Sequence, residues 1–206
     1  MTLVIFSGLP GTGKSALADR LARELSWPLL RIDDLVVEVP EGADFRFWDE
    51  KILTLLTVAE AQLELGISVI LDSVFMGADR LHAQEIARQS GAAFRPVVCH
   101  FSDEALWEKR VTERADLLGN PAVATWETIQ RQRQHFLPWQ AGTALFVDAV
   151  EPLEQNYARV LDFVTSPQVA LEPLSATAPL ARGRYHDPVE RNLKGVPETR
   201  HGATRD

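Results

Sequence analysis

Short apolar runs rich in β-branched residues alternate along this chain with longer stretches whose apolar positions recur every three to four residues. The runs are "TLVIFS" (2–7), "PLLRID" (28–33), "ISVILDS" (67–73), "FRPVVCHF" (94–101) and "ALFVDA" (144–149). Each has the length of a strand and little polar interruption, as expected of strands covered on both faces. Between them, Ile52, Leu55, Leu56, Ala59 and Leu63 share one helical face, and Leu153, Tyr157, Val160, Leu161 and Val164 share another. Leu17, Leu21 and Leu25 mark a shorter helix. Less regular helices are predicted over about 79–90, 103–118 and 125–137, with Ser102 capping the second ahead of its acids. Strands alternating with helices predict an α/β fold of about five parallel strands with helices on both faces.

The pattern stops at Ser166. Residues 166–206 are rich in Pro, Gly, Ser, Thr and Arg and carry no sustained apolar period, so they are expected to form a mostly disordered tail behind a single domain over residues 1–165. A length of 206 residues suits one such core. No apolar run approaches the roughly 18 residues of a membrane span, and no apolar leader precedes the first strand, so a cytoplasmic protein without membrane contact is expected. A single cysteine, Cys99, lies inside an apolar run, which excludes an internal disulfide and predicts a buried thiol. The formal charge is −8, and residues 1–165 hold 15 Lys/Arg against 24 Asp/Glu. A field of that sign disfavours nucleic acid as a partner.

One segment carries specific chemistry. "GLPGTGKS", Gly8 to Ser15, fits G-x-x-x-x-G-K-[ST], with a strand before it and an amphipathic helix after it. Gly8, Gly11 and Gly13 let the backbone curl so that several N–H groups point inward at one anion at a helix N-terminus, and the nucleotide-binding residues expected of this loop are Gly8, Pro10, Gly11, Thr12, Gly13, Lys14, Ser15 and Ala16. Lys14 is placed to reach the β- and γ-phosphates of a nucleotide, and the Ser15 hydroxyl to ligate Mg²⁺. A second group on the metal side should stand at the end of a neighbouring strand, and Asp72 in "VILDS" meets that demand. Ser73 follows it, where an ATPase would carry a glutamate to activate water. This favours transfer to an acceptor hydroxyl.

Such a transfer needs a carboxylate near the γ-phosphate to take the hydroxyl proton. Asp33 and Asp34 follow the second strand, so that one can face the site while the other caps the next helix; Asp33 is the preferred base, and the choice between the two stays open. Residues 33–50 hold seven acids against Arg46 alone, together with Phe45, Phe47 and Trp48. That chemistry suits a neutral or cationic polyhydroxy acceptor with an apolar face better than a polynucleotide, and it equally suits an acidic loop whose aromatics pack inward. Arg110 and Arg114 stand four apart on one helical face just before a Gly119-Asn120-Pro121 break, as expected of arginines delivered by a lid over about 110–138. Arg131 and Arg133 follow on the next helix.

Taken together, "GLPGTGKS", "RIDDL", "VILDSVF" and "WEKRVTER" resemble the small P-loop kinases of the zeta-toxin, chloramphenicol phosphotransferase and polynucleotide kinase group, over residues 2–165. The resemblance implies a P-loop three-layer sandwich with a helical lid, with ATP and Mg²⁺ as cofactors. It also implies Asp33 as general base, Asp72 on the metal side, Arg110 and Arg114 as the phosphate-binding pair, and adenine near Val150 to Pro152. The stretch "RIDDLV" departs from the polynucleotide kinases, because Val36 stands where they carry the arginine that binds the acceptor's phosphate. The expected activity is transfer of the ATP γ-phosphate to a hydroxyl of a small molecule. The alternatives are a polynucleotide 5′-hydroxyl kinase and a nucleotide-binding regulator with little turnover.

Overall fold

The computed structural model describes residues 1–35, 45–118, 125–167 and 171–174. Five strands form one all-parallel sheet: β1 (Thr2–Ser7), β2 (Leu29–Arg31), β3 (Val69–Asp72), β4 (Ala93–His100) and β5 (Leu145–Asp148), in the order β2-β3-β1-β4-β5. The helices are α1 (Lys14–Leu25), α2 (Phe45–Glu64), α3 (Asp79–Gln89), α4 (Glu104–Leu118), α5 (Trp126–Arg133) and α6 (Leu153–Thr165).

The side-chain period of two divides β1 between two cores. Leu3 and Ile5 pack with Val69 and Leu71 against α2 (Ile52, Leu55, Leu56, Ala59, Leu63) and α3 (Ala83, Ile86, Ala87). Val4 and Phe6 pack with Ile70, Val97 and Val147 against α1 (Leu17, Ala18, Leu21) and α6 (Tyr157, Val160, Val164). These two layers around the sheet give the predicted three-layer sandwich. Each buried aliphatic or aromatic side chain contributes about 1.5–3 kcal/mol relative to exposure, so the sheet's inner strands are its most secure part.

The chain order places the site. From β1 the chain crosses through α1 to β2 and returns to β3 on the same side, then crosses through α3 to β4 on the other side of β1. The carboxyl end of β1 therefore lies at the point where the strand order reverses, which is where open α/β sheets form a crevice. Phe6 pairs in register with Asp72, and Arg31 does likewise from the other side, so these strand ends finish level with one another.

Several local expectations change. β2 is three residues long, because Ile32–Asp34 turn into a 3-10 helix that carries both acids out of the strand. α5 ends at Arg133, before the predicted 137. Ser102 is not the cap of α4. Asp103 Oδ1 accepts from Leu106 N at 2.9 Å, while Ser102 N donates to Asp148 Oδ1 at 3.1 Å. A carboxylate beside the serine is the stronger acceptor for the helix's first N–H groups. Beyond α6 the chain returns to the core: Glu172 N donates to Gly142 O at 3.0 Å, and Leu174 packs on the cluster that contains Trp139. Among the described residues, no helix is long and apolar enough to cross a membrane.

Cys99 is free and buried, as its position in an apolar run predicts. Burial pushes its thiol from 9.0 up to about 12. Held protonated in the folded chain, the thiol contributes its share of stability fully below about pH 9 and loses it as pH rises through about 12. The native protein is therefore expected to be inert to a thiol-specific chromogenic reagent at pH 8 and to release one equivalent in denaturant. Prompt reaction of the native protein would show that the β4 end opens in solution.

Candidate phosphate-transfer site

The loop after β1 is held from three sides. Ser7 Oγ donates to Val74 O at 2.8 Å and accepts from Trp139 Nε1 at 3.0 Å, while Gly8 N donates to Val74 O at 3.3 Å. Arg80 supports this arrangement from α3, donating to Leu137 O and Pro138 O and standing 4.9 Å from the Trp139 ring centroid. Gly8 (φ +137°), Gly11 (φ +84°) and Gly13 (φ +84°) all adopt backbone conformations that favour glycine, and Gly13 is the N-cap of α1. The loop thus turns its chain into the positive end of a twelve-residue helix.

Thr12 is buried and its Oγ1 donates to Leu9 O at 2.8 Å; Lys14 Nζ donates to the same carbonyl at 3.2 Å. Lys14 is 9% exposed, and Asp72 on the neighbouring strand end is 5% exposed. Burial lowers the Lys14 pKa, with the charges of Asp72 and Asp33 working against that fall and the charge of Arg114 adding to it. Burial likewise raises the Asp72 pKa, opposed by Lys14, by a hydrogen bond from the Ser15 hydroxyl and by Arg31, while Asp33 pushes it further up. Both groups are thus under-compensated: the attraction between them does not repay their desolvation. A polyanion beside Lys14 and a divalent cation beside Asp72 would each supply the missing charge. The donor set fits Mg²⁺, which takes oxygen ligands and needs few from the protein when phosphates and water complete its shell. Among the described residues, no group of three or more His, Cys, Asp or Glu side chains is arranged to hold a metal ion by itself.

The predicted residues divide as follows. Lys14 of α1 and Asp72 of β3 act on one another's charge, the Ser15 hydroxyl hydrogen-bonds Asp72, and the charge of Asp33 from the 3-10 turn bears on both Lys14 and Asp72. Arg114 of α4 acts on Lys14 as well. Arg110, one turn earlier, has its guanidinium 5.9 Å from the Phe101 ring centroid. Among the described residues neither arginine forms an ion pair, whereas Arg131 pairs with Glu127 at 3.7 Å and Arg133 with Glu104 at 3.1 Å. Ser15 and Ala16 are exposed at the helix start, and Pro10 offers its carbonyl to Trp107. Val150 is exposed beside the β5 end, with Asp148 Oδ1 accepting from its N–H at 3.1 Å. Residues 36–44, half of the acceptor segment expected over 33–50, and the Gly119-Asn120-Pro121 break lie outside the described residues.

Two residues at the site were not singled out from sequence. Arg31 of β2 pairs with Asp19 of α1, stands 3.6 Å from Asp34 and places Nε 3.7 Å from Asp72 Oδ2. It therefore ties three acids from three elements, and it takes Asp34 while leaving Asp33 without an ion pair among the described residues. Its place two residues before the paired acids was the available signal, but Asp19 and Asp72 become its neighbours only through the fold. Trp107 of α4, 5% exposed, donates from Nε1 to Pro10 O at 3.0 Å.

Among known proteins, a family model described as an AAA domain matches residues 3–139. Among solved structures, a candidate kinase from Chloroflexus aurantiacus J-10-fl is 26% identical and superposes with a TM-score of 0.60, covering 79% of this chain and 93% of that one. A sugar kinase from Janibacter sp. HTCC2649 is 17% identical with a TM-score of 0.61, covering 84% and 99% of the two chains. The APS kinase of Mycobacterium tuberculosis, solved with AMPPNP and APS, is 22% identical with a TM-score of 0.58, covering 80% and 98%. No curated protein matches the chain. The last two likenesses bear on the fold alone. The family match and these neighbours bear out the resemblance to small P-loop kinases.

Proposed function

From the premise that the chain belongs to the AAA domain family, with the fold of small P-loop kinases, we propose that it transfers the γ-phosphate of ATP to a hydroxyl of a small molecule. The observation that carries this reading is that buried Lys14 and Asp72 face one another at the crevice beyond β1, with the charge of Asp33 bearing on both. A site built only to hold a nucleotide has no use for the third of these. Ser73, buried directly after Asp72, also leaves no carboxylate there to activate water.

In this reading the amides of Gly8 to Ala16 and the Lys14 ammonium bind the phosphates, with Lys14 giving up its bond to Leu9 O to do so. Ser15 and Asp72 hold Mg²⁺, which supplies charge neutralisation for the phosphoryl group. Asp33 orients the acceptor hydroxyl and accepts its proton. Arg114, whose charge already bears on Lys14, meets the transferred phosphate, and Arg110 closes from the Phe101 side toward the nucleotide. Residues 1–165 form the kinase unit in the cytoplasm, with the lid over about 110–138; from the tail that follows, Glu172 and Leu174 fold back onto it. Nucleic acid is not the partner, since the acids around β2 repel a phosphate backbone.

The test is an ATP-consumption screen across neutral sugars, amino sugars, nucleosides and hydroxylated antibiotics, with mass detection of a product heavier by one phosphoryl group. Binding of ATP with no alcohol modified would sink the transferase reading and leave a nucleotide-binding regulator.

A further inference from the structure

A third apolar cluster lies apart from the two that sandwich the sheet. It joins Leu9 of the phosphate loop to Trp107 and Val111 of α4 and Ile129 of α5, with Trp126 packed against it. Its contact with the loop is close. A Cβ placed at Gly11 would lie 2.8 Å from Val111 Cγ2 and 3.0 Å from Trp107 Nε1. The Trp107 ring in turn meets the edge of Trp126, the first residue of α5, at 5.1 Å and 85°.

Two successive loop carbonyls are therefore held by different parts of the molecule. Leu9 O accepts from Lys14 Nζ and Thr12 Oγ1, and Pro10 O accepts from Trp107 Nε1. A phosphate that draws the Lys14 ammonium away must release Leu9 O, while Pro10 O stays anchored to α4. The Leu9 side chain meanwhile belongs to the same cluster as Ile129, so a shift of the loop is felt in α5. Packed clusters pass such shifts on because they do not deform continuously.

We propose that Trp107 is a positioning residue of the phosphate loop that carries the loop's occupancy to α5 through Trp126. The inference rests on the reading of this loop as a nucleotide site. It assigns Trp107 a role beyond filling space: the indole N–H fixes the loop, and the indole ring links it to the helix that follows the lid break.

The test uses the full chain with Mg²⁺-ADP as the probe and two readouts, ADP affinity and amide hydrogen exchange. In the wild type, ADP is expected to slow exchange at the α1 N-terminus and also along α5. Trp107→Phe keeps a ring and loses the donor. It is expected to bind ADP about 3- to 10-fold more weakly, to keep the protection at α1 and to lose that at α5. Trp126→Leu leaves the bond to Pro10 O in place; it should bind ADP within about 2-fold of the wild type and also lose the α5 protection. It serves if the Phe variant folds poorly. Protection of α5 that survives in both variants, or that ADP never produces in the wild type, would overturn the inference alone. Absence of ADP binding to the wild type would overturn the nucleotide-site reading and this inference with it.

Discussion

Replacing Asp33 by Asn should lower the rate of phosphotransfer by about 10²- to 10⁴-fold, the range that a positioned general base contributes, while ADP affinity stays within about 2-fold because the loop amides and Lys14 are untouched. Asp34→Asn is the informative companion. Asp34 stands 67% exposed and is engaged by Arg31, so its loss is expected to change the rate by no more than about 3-fold, as for other exposed ion pairs. Initial rates on the acceptor found by screening, with ADP titrations on the same samples, check both. Equal rates for Asp33→Asn and the wild type would remove Asp33 from the chemistry; a large loss on Asp34→Asn would transfer the role to its neighbour.

Gly8→Ala should be the most damaging single substitution in the loop. The new Cβ would lie 2.2 Å from Cys99 O, a backbone atom of an inner strand, at a φ of +137°. Neither the strand nor the residue can yield, so the expected result is loss of nucleotide binding and a fall in stability larger than the about 1–3 kcal/mol of backbone strain alone. Gly13→Ala isolates the strain, because its φ of +84° is also unfavourable yet its Cβ meets nothing within 4 Å. Thermal melts should show Gly13→Ala losing about 2–6 °C and Gly8→Ala losing more or failing to fold. Similar melting points for the two would mean that the clash at Cys99 is relieved by movement of the loop.

The elements that sequence periodicity identified well are those buried on both faces. β1, β3 and β4 read as apolar runs because helices cover both sides, and the helical spacing in α2 and α6 matches the faces they bury. β2 was less legible. "PLLRID" has the composition of a longer strand, but Arg31 points its charge toward three acids and Ile32 begins a tight turn. The phosphate loop was legible in full because its chemistry depends on local spacing. Asp72 was legible for a related reason, since three apolar residues, Val69 to Leu71, deliver it to the carboxyl end of the sheet. Arg31 and Trp107 were not, because what they touch lies up to 97 residues away in the chain. Their meaning comes from the strand order, which periodicity does not encode.

The return of the chain at Glu172 and Leu174 bears on where the protein is safely shortened. A cut after α6 looks natural from the sequence, yet it would strip Gly142 O of its donor and uncover the apolar neighbours of Trp139. Trp139 in turn anchors Ser7 at the base of the phosphate loop. Trimming at residue 165 therefore reaches the crevice beyond β1 from behind, by exposing the otherwise buried Trp139, whereas trimming after residue 174 leaves that support in place.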